Sequence, residues 1–141
     1  MRWQGGWWAV LIAIMVGTIR ISLGIGTIYA YPGGVFGGVV VGFAYRVLRR
    51  LLGGRRALIS ALTEPIGTLL IGAPLSLLIV SPIAPIFDQP QIEVRPEGLF
   101  ITLIYLWFGW GASTFSGSIA AYFVLNILFR YGFSREELLG E

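Results

Sequence analysis

Apolar residues run along this chain in long unbroken blocks, not in the short alternations of a soluble fold. Charged side chains mark the ends of the blocks, leaving uncharged stretches at 3–19, 21–45, 65–87 and 98–129. Each reaches the roughly 17–20 residues that a helix needs to cross about 30 Å of hydrocarbon. The pattern predicts an all-α, polytopic helical membrane protein. A cleaved signal peptide would show one short apolar core ahead of a soluble body, whereas these blocks continue almost to the C-terminus.

Four spans are predicted, with one short broken or re-entrant segment. The first covers about 7–24, opening on Trp3, Trp7 and Trp8 as an interfacial aromatic belt. GIGTIYAYPGG has the composition of a tight loop and is expected at the outer face. The second span covers about 33–47 and runs into Arg46, Arg49, Arg50, Arg55 and Arg56 around the turn pair Gly53-Gly54. The third covers about 57–80, with Pro65 and Pro74 predicting a kink or local unwinding. A proline-rich outer loop follows, SPIAPIFDQPQIEVRPEG. As one helix the last block would be about 48 Å long, so a break is expected at Gly109-Trp110-Gly111. Residues 98–109 are then re-entrant or interfacial, and 112–130 form the fourth span.

Charge sets the orientation. Arg2, the five loop arginines, Arg130 and Arg135 fall on one side of this topology and only Arg20 and Arg95 on the other. By the positive-inside rule both termini of this multi-pass cell-membrane chain are cytoplasmic. The net charge of +3 therefore reads as bilayer orientation and not as a nucleic-acid surface. With no cysteine and no histidine, disulfides, thiolate chemistry, the usual zinc sites and imidazole acid–base work are excluded. No catalytic motif, phosphate loop, metal cluster or cofactor site emerges, and the chain is not read as an enzyme.

Small residues form faces for close helix approach: Gly34, Gly38 and Gly42 on span two, Ala9 and Ala13 on span one. Ser113, Ser116, Gly117 and Ala120 do the same on the last span. Two charges lie inside spans, where each costs roughly 2.5–3.5 kcal/mol even on the lenient insertion scale. Arg20, near the outer end, either snorkels to headgroups or binds a polar ligand group. Glu64, about 10 Å into span three, either pairs with a loop arginine or belongs to a site. The expectation for the pair is that Arg20 contacts ligand while Glu64 serves stability or assembly with a partner. Tyr29, Tyr31, Tyr105, Trp107 and Trp110 gather at the outer face, where interface anchoring is the ordinary use. The other use is a ligand pocket in which aromatic side chains stack on a small ring and Arg20, Ser22, Thr27 or Asn126 give direction.

The run RISLGIGTIYAYPGGVFGGVVVGFAYR and the later ALTEPIGTLLIGAPLS resemble the ThiW family. Its members are substrate-binding S components of energy-coupling factor (ECF) vitamin transporters. The counterparts of the family's motifs are Arg20, Gly24 to Thr27, Tyr31-Pro32-Gly33, and Glu64-Pro65-Ile66-Gly67-Thr68, and the likeness is good over about 9–80 and looser in the last span. It implies a subunit that captures the thiazole precursor of thiamine from outside. It also implies docking on a transmembrane coupling protein driven by two cytoplasmic ATP-binding subunits. Such S components have six spans, and the first span here aligns with the family's third. The resemblance thus implies that two helices and their joining loop are missing, through a downstream start or a reduced relative. The reading from another class is a non-transporting membrane scaffold that packs through its glycine faces; a membrane enzyme is more remote.

Overall fold

The computed structural model describes residues 4–53 and 56–132, with residues 4–7 as backbone only. Arg2, Trp3, Gly54, Arg55, Arg135 and the tail from 133 lie outside the described residues, as does the side chain of Trp7. Four helical rods account for nearly all of the rest: α1, Gln4–Ser22; α2, Ala30–Leu52; α3, Arg56–Phe87; and α4, Leu99–Arg130. The last two are each long and apolar enough to cross a membrane. Where no water competes for backbone groups, a helix satisfies every N–H and C=O internally, and these apolar sequences take that solution.

Two loops are shorter than expected. Tyr31-Pro32-Gly33 does not belong to the first loop but opens α2, because Pro32 in a first turn has no intrahelical N–H to lose. The α1–α2 connection therefore shrinks to residues 23–29. At the other end α3 runs on past Val80 to Phe87, taking Pro82 and Pro85 into the helix, and stops where Asp88 turns left-handed at φ 53°.

The prolines of α3 are absorbed by changes of winding. Arg56–Thr63 is a 3-10 helix that precedes Pro65, and π-helical stretches at Thr68–Gly72 and Ser76–Val80 precede Pro74 and Pro82. In the π stretches the N–H of Ala73 reaches Thr68 O and that of Ser81 reaches Ser76 O. A proline ring collides with the carbonyl four residues back, and a wider turn moves that carbonyl aside. Ala73 having bonded elsewhere and Pro74 having no N–H, the carbonyl of Leu69 is left to an outside donor. Trp107 Nε1 on α4 supplies it at 2.8 Å.

The expected break in the last block is absent. α4 is one 32-residue helix through Gly109, Trp110 and Gly111, so 98–109 is its first third and not a separate re-entrant or interfacial segment. Each glycine costs about 1 kcal/mol of helix propensity, less than breaking the ladder in apolar surroundings. Thr114 Oγ1 also donates to the carbonyls of Trp110 and Gly111, at 3.1 and 3.2 Å.

Neighbouring helices run antiparallel. α2 meets α3 at a glycine seam, where a β-carbon on Gly72 would stand 2.7 Å from Gly33 Cα and one on Gly67 would strike the Phe36 carbonyl. Thr68 Oγ1 closes the seam by donating to Gly33 O at 3.1 Å. On its other side α2 sets Gly34 against Ala13 and Gly38 against Ala9, while Gly42 faces open space. The ring of Tyr31 covers Gly17, and its hydroxyl lies 3.0 Å from Thr18 Oγ1. α4 packs on α3. The four rods thus form an arc, with α1 and α4 facing each other across the space between.

Candidate functional site

That space is a cavity of about 1310 Å³, walled by all four helices and reaching from Gly26, Thr27 and Ala30 at one end to Tyr45 and Phe129 at the other. Most of its wall is aliphatic or glycine. Polar groups concentrate partway along: Glu64, Thr68 and Ser60 from α3, with Ser113, Thr114 and the ring of Trp110 from α4.

Glu64 is placed there by the unusual winding of α3. A 3-10 helix rises about 2.0 Å per residue against 1.5 Å in an α-helix, so eight residues carry Glu64 roughly 16 Å from Arg56. The sequence-based figure of about 10 Å assumed α-helical rise from a later start. At the greater distance from Arg56 the carboxylate stands level with Gly37 of α2. A β-carbon on Gly37 would touch the Glu64 side chain. The partner of the carboxylate is Ser118 on α4, whose Oγ donates to Glu64 Oε2 at 2.9 Å, and not a loop arginine, the first of the two readings of Glu64. Ser118 is 1% exposed, so the bond is shielded on the α4 side, while Glu64 is half-buried and borders the cavity. Thr68, one helical turn beyond Glu64, is also buried, with its hydroxyl given to Gly33.

Of the eight residues read as ligand-binding, the structure brings Arg20, Thr27, Tyr29 and Trp110 to the cavity wall. Arg20 lies in the last turn of α1 at the mouth: its carbonyl accepts from Ile25 N–H, and Gly26 seats against its Cβ. Tyr29 offers only its ring, because its hydroxyl donates to Pro90 O at 2.8 Å and accepts from Ile92 N–H at 3.2 Å. With Ser81 Oγ, which also holds Ile92, this hydroxyl pins the loop at 88–98 across the helix ends.

The other four stand elsewhere. Ser22 is exposed and bonded back to Thr18 O, and Tyr31 braces α1 against α2. Tyr105 lies beneath the Arg95 guanidinium, 3.7 Å from its ring centroid. Asn126 bonds to Tyr122 O, four turns along α4 from Trp110 and roughly 24 Å away at helical rise. Thus Asn126 does not share a site with Arg20 and Thr27.

Sequence reasoning gave Glu64 a different place, and took Ser113 and its neighbours on the last span for packing. A signal was present: Trp110, Ser113 and Thr114 repeat at helical spacing, as do Glu64 and Thr68. A face of small polar residues looks the same in sequence whether a helix or an empty space lies opposite. Among the described residues no group of three metal-ligating side chains occurs.

Chemically, the arrangement offers one carboxylate with a fixed orientation, several hydroxyls and an indole face, within apolar walls. The family model described as thiamine-precursor transporter protein (ThiW) matches the chain over residues 3–131. No curated protein and no solved structure matches it.

Proposed function

The chain belongs to the ThiW family of thiamine-precursor transporter proteins, and from this premise we propose that it is the substrate-capture subunit of an ECF-type importer. The family is one of transporters, so the chain is a membrane transport protein and not an enzyme. Its proposed cargo is the thiazole precursor of thiamine, a small heteroaromatic alcohol. The observation that supports this reading is the cavity with Glu64 and Trp110 at mid-depth. Polar groups at that depth persist where they line a cavity or are buried in protein. A scaffold working through glycine faces needs neither the carboxylate nor the space.

The proposed orientation puts both termini and the α2–α3 arginines in the cytoplasm, with four membrane crossings. Arg20, Thr27 and the loop at 88–98 then face outward, so substrate enters past Arg20. The proposed partners are a transmembrane coupling protein and two ATP-binding subunits, since the chain carries no phosphate-binding loop of its own. The test is uptake of radiolabelled 5-(2-hydroxyethyl)-4-methylthiazole by cells that produce the chain with a coupling protein and its ATPases. Saturable uptake that stops when the ATPases are inactivated, with co-purification of all the subunits, is the expected result. A chain that purifies only with itself and binds no thiazole would support the scaffold.

A further inference from the structure

Resting on the proposed function, we infer that Glu64 anchors the ligand by accepting a hydrogen bond from its hydroxyl, so that the site takes the free alcohol and turns away its phosphate ester. The bond from Ser118 Oγ to Glu64 Oε2 orients the carboxylate, and a carboxylate has about four acceptor sites in all. One is used, and the Glu64 side chain also borders the cavity. An ionised carboxylate only accepts, so its complement is a hydroxyl or N–H.

The surroundings restrict that donor further. Thr68 has given its hydroxyl hydrogen to Gly33 O, and Thr114 donates to the carbonyls of its own helix. Neither hydroxyl is free to donate to an anion beside Glu64, and the other donors on this part of the wall, Ser60, Ser113 and the Trp110 indole, are neutral and offset none of an anion's charge. The cation on the wall, Arg20, stands at the mouth with Gly26, while Glu64 stands level with Gly37. From Ala30, at the level of the mouth, to Gly37 is seven residues of helix, roughly 10 Å. A phosphate taking the place of the hydroxyl would lose the donor and set like charges together in a site of low dielectric, which is repulsive. Trp110 gives the ring a face to stack on. The anchor thus selects a small uncharged ring that carries a hydroxyl.

The test is calorimetry on the full chain in nanodiscs with three probes: 5-(2-hydroxyethyl)-4-methylthiazole, its phosphate monoester, and 5-ethyl-4-methylthiazole, which lacks the hydroxyl. A hydrogen bond to a charged group corresponds to about 10- to 100-fold in affinity, so the wild type is expected to prefer the alcohol to the ethyl compound by that factor. It should bind the ester more weakly still. Glu64→Gln keeps an acceptor for Ser118 and loses the charge; it should shrink both preferences to within about threefold while the ethyl compound binds as before. Unchanged binding of the ethyl compound shows that the variant is folded. A wild type that binds the ester as tightly as the alcohol, or a Glu64→Gln that keeps both preferences, overturns the inference and leaves the proposed function standing. A wild type that binds none of the three overturns both.

Discussion

The two faces of α3 use similar small residues for opposite ends. Toward α2 it presents Gly67 and Gly72, and the backbones meet so closely there that neither position has room for a side chain. Toward α4 side chains intervene, with Glu64 bonded to Ser118 and the Leu69 carbonyl to Trp107, and the cavity lies alongside these bonds. The first face is held by close backbone packing at its glycines, with the Thr68 hydroxyl bonded to Gly33 O across it. The second is held by directed bonds, and its small residues leave room instead of removing it. One helix thus provides a rigid seam and, a few residues on, the wall of a site.

The largest effect is expected where a side chain enters the seam. Gly72→Leu would place its Cβ against Gly33 and Pro32 backbone, and no rotamer relieves a backbone collision. The expected cost exceeds about 3 kcal/mol, the upper part of the range for overpacking, and the yield of monodisperse protein on size-exclusion chromatography should collapse. Gly42→Ala, with nothing within 4 Å of the new methyl group, should purify as the parent does. Equal yields for the two variants would remove the distinction between seam and open face.

A smaller loss is expected on the bridged face. Trp107→Phe removes the N–H that serves Leu69 O while keeping an aromatic ring, and an unsatisfied buried carbonyl costs about 1–3 kcal/mol. Thermal unfolding should begin several degrees lower, with the seam intact. Smaller again is Tyr29→Phe, which releases Pro90 O and leaves Ile92 N–H to Ser81 Oγ in a loop that water reaches. That change should cost about 1 kcal/mol or less, and should be seen chiefly as faster proteolysis within 88–98. An unaltered cleavage rate would mean that Ser81 alone holds the loop.

Much of this was legible in the sequence and part was not, for identifiable reasons. Block lengths and arginine positions gave the helical class because hydrophobic thickness is a coarse constraint that composition satisfies visibly. The motif containing Glu64-Pro65-Ile66-Gly67-Thr68 pointed to the family that the match over 3–131 shows. The break assigned to Gly109-Trp110-Gly111 rested on length, and it failed because a helix longer than the hydrocarbon is thick can tilt or run beyond it and stay whole. The depth of Glu64 was hidden because winding is a compromise between proline sterics and the neighbouring helix, and only the fold records it. For Ser118 the sequence showed a small residue on a helix face, with no means of telling a contact with α3 from a surface toward lipid.

The central claim is that the space beside α3 and α4 receives the ligand, and it is tested most directly by protection. The chain has no cysteine, so single cysteines report cleanly. Ser113→Cys puts a thiol on the cavity wall, and Glu93→Cys puts one in the loop at 88–98, away from that wall. With 5-(2-hydroxyethyl)-4-methylthiazole bound at saturation, maleimide labelling at 113 should slow by about tenfold or more, as expected for a site mostly occupied. Labelling at 93 should keep its rate. Equal labelling at 113 with and without a ligand that calorimetry shows to be bound would place the ligand elsewhere and contradict the account.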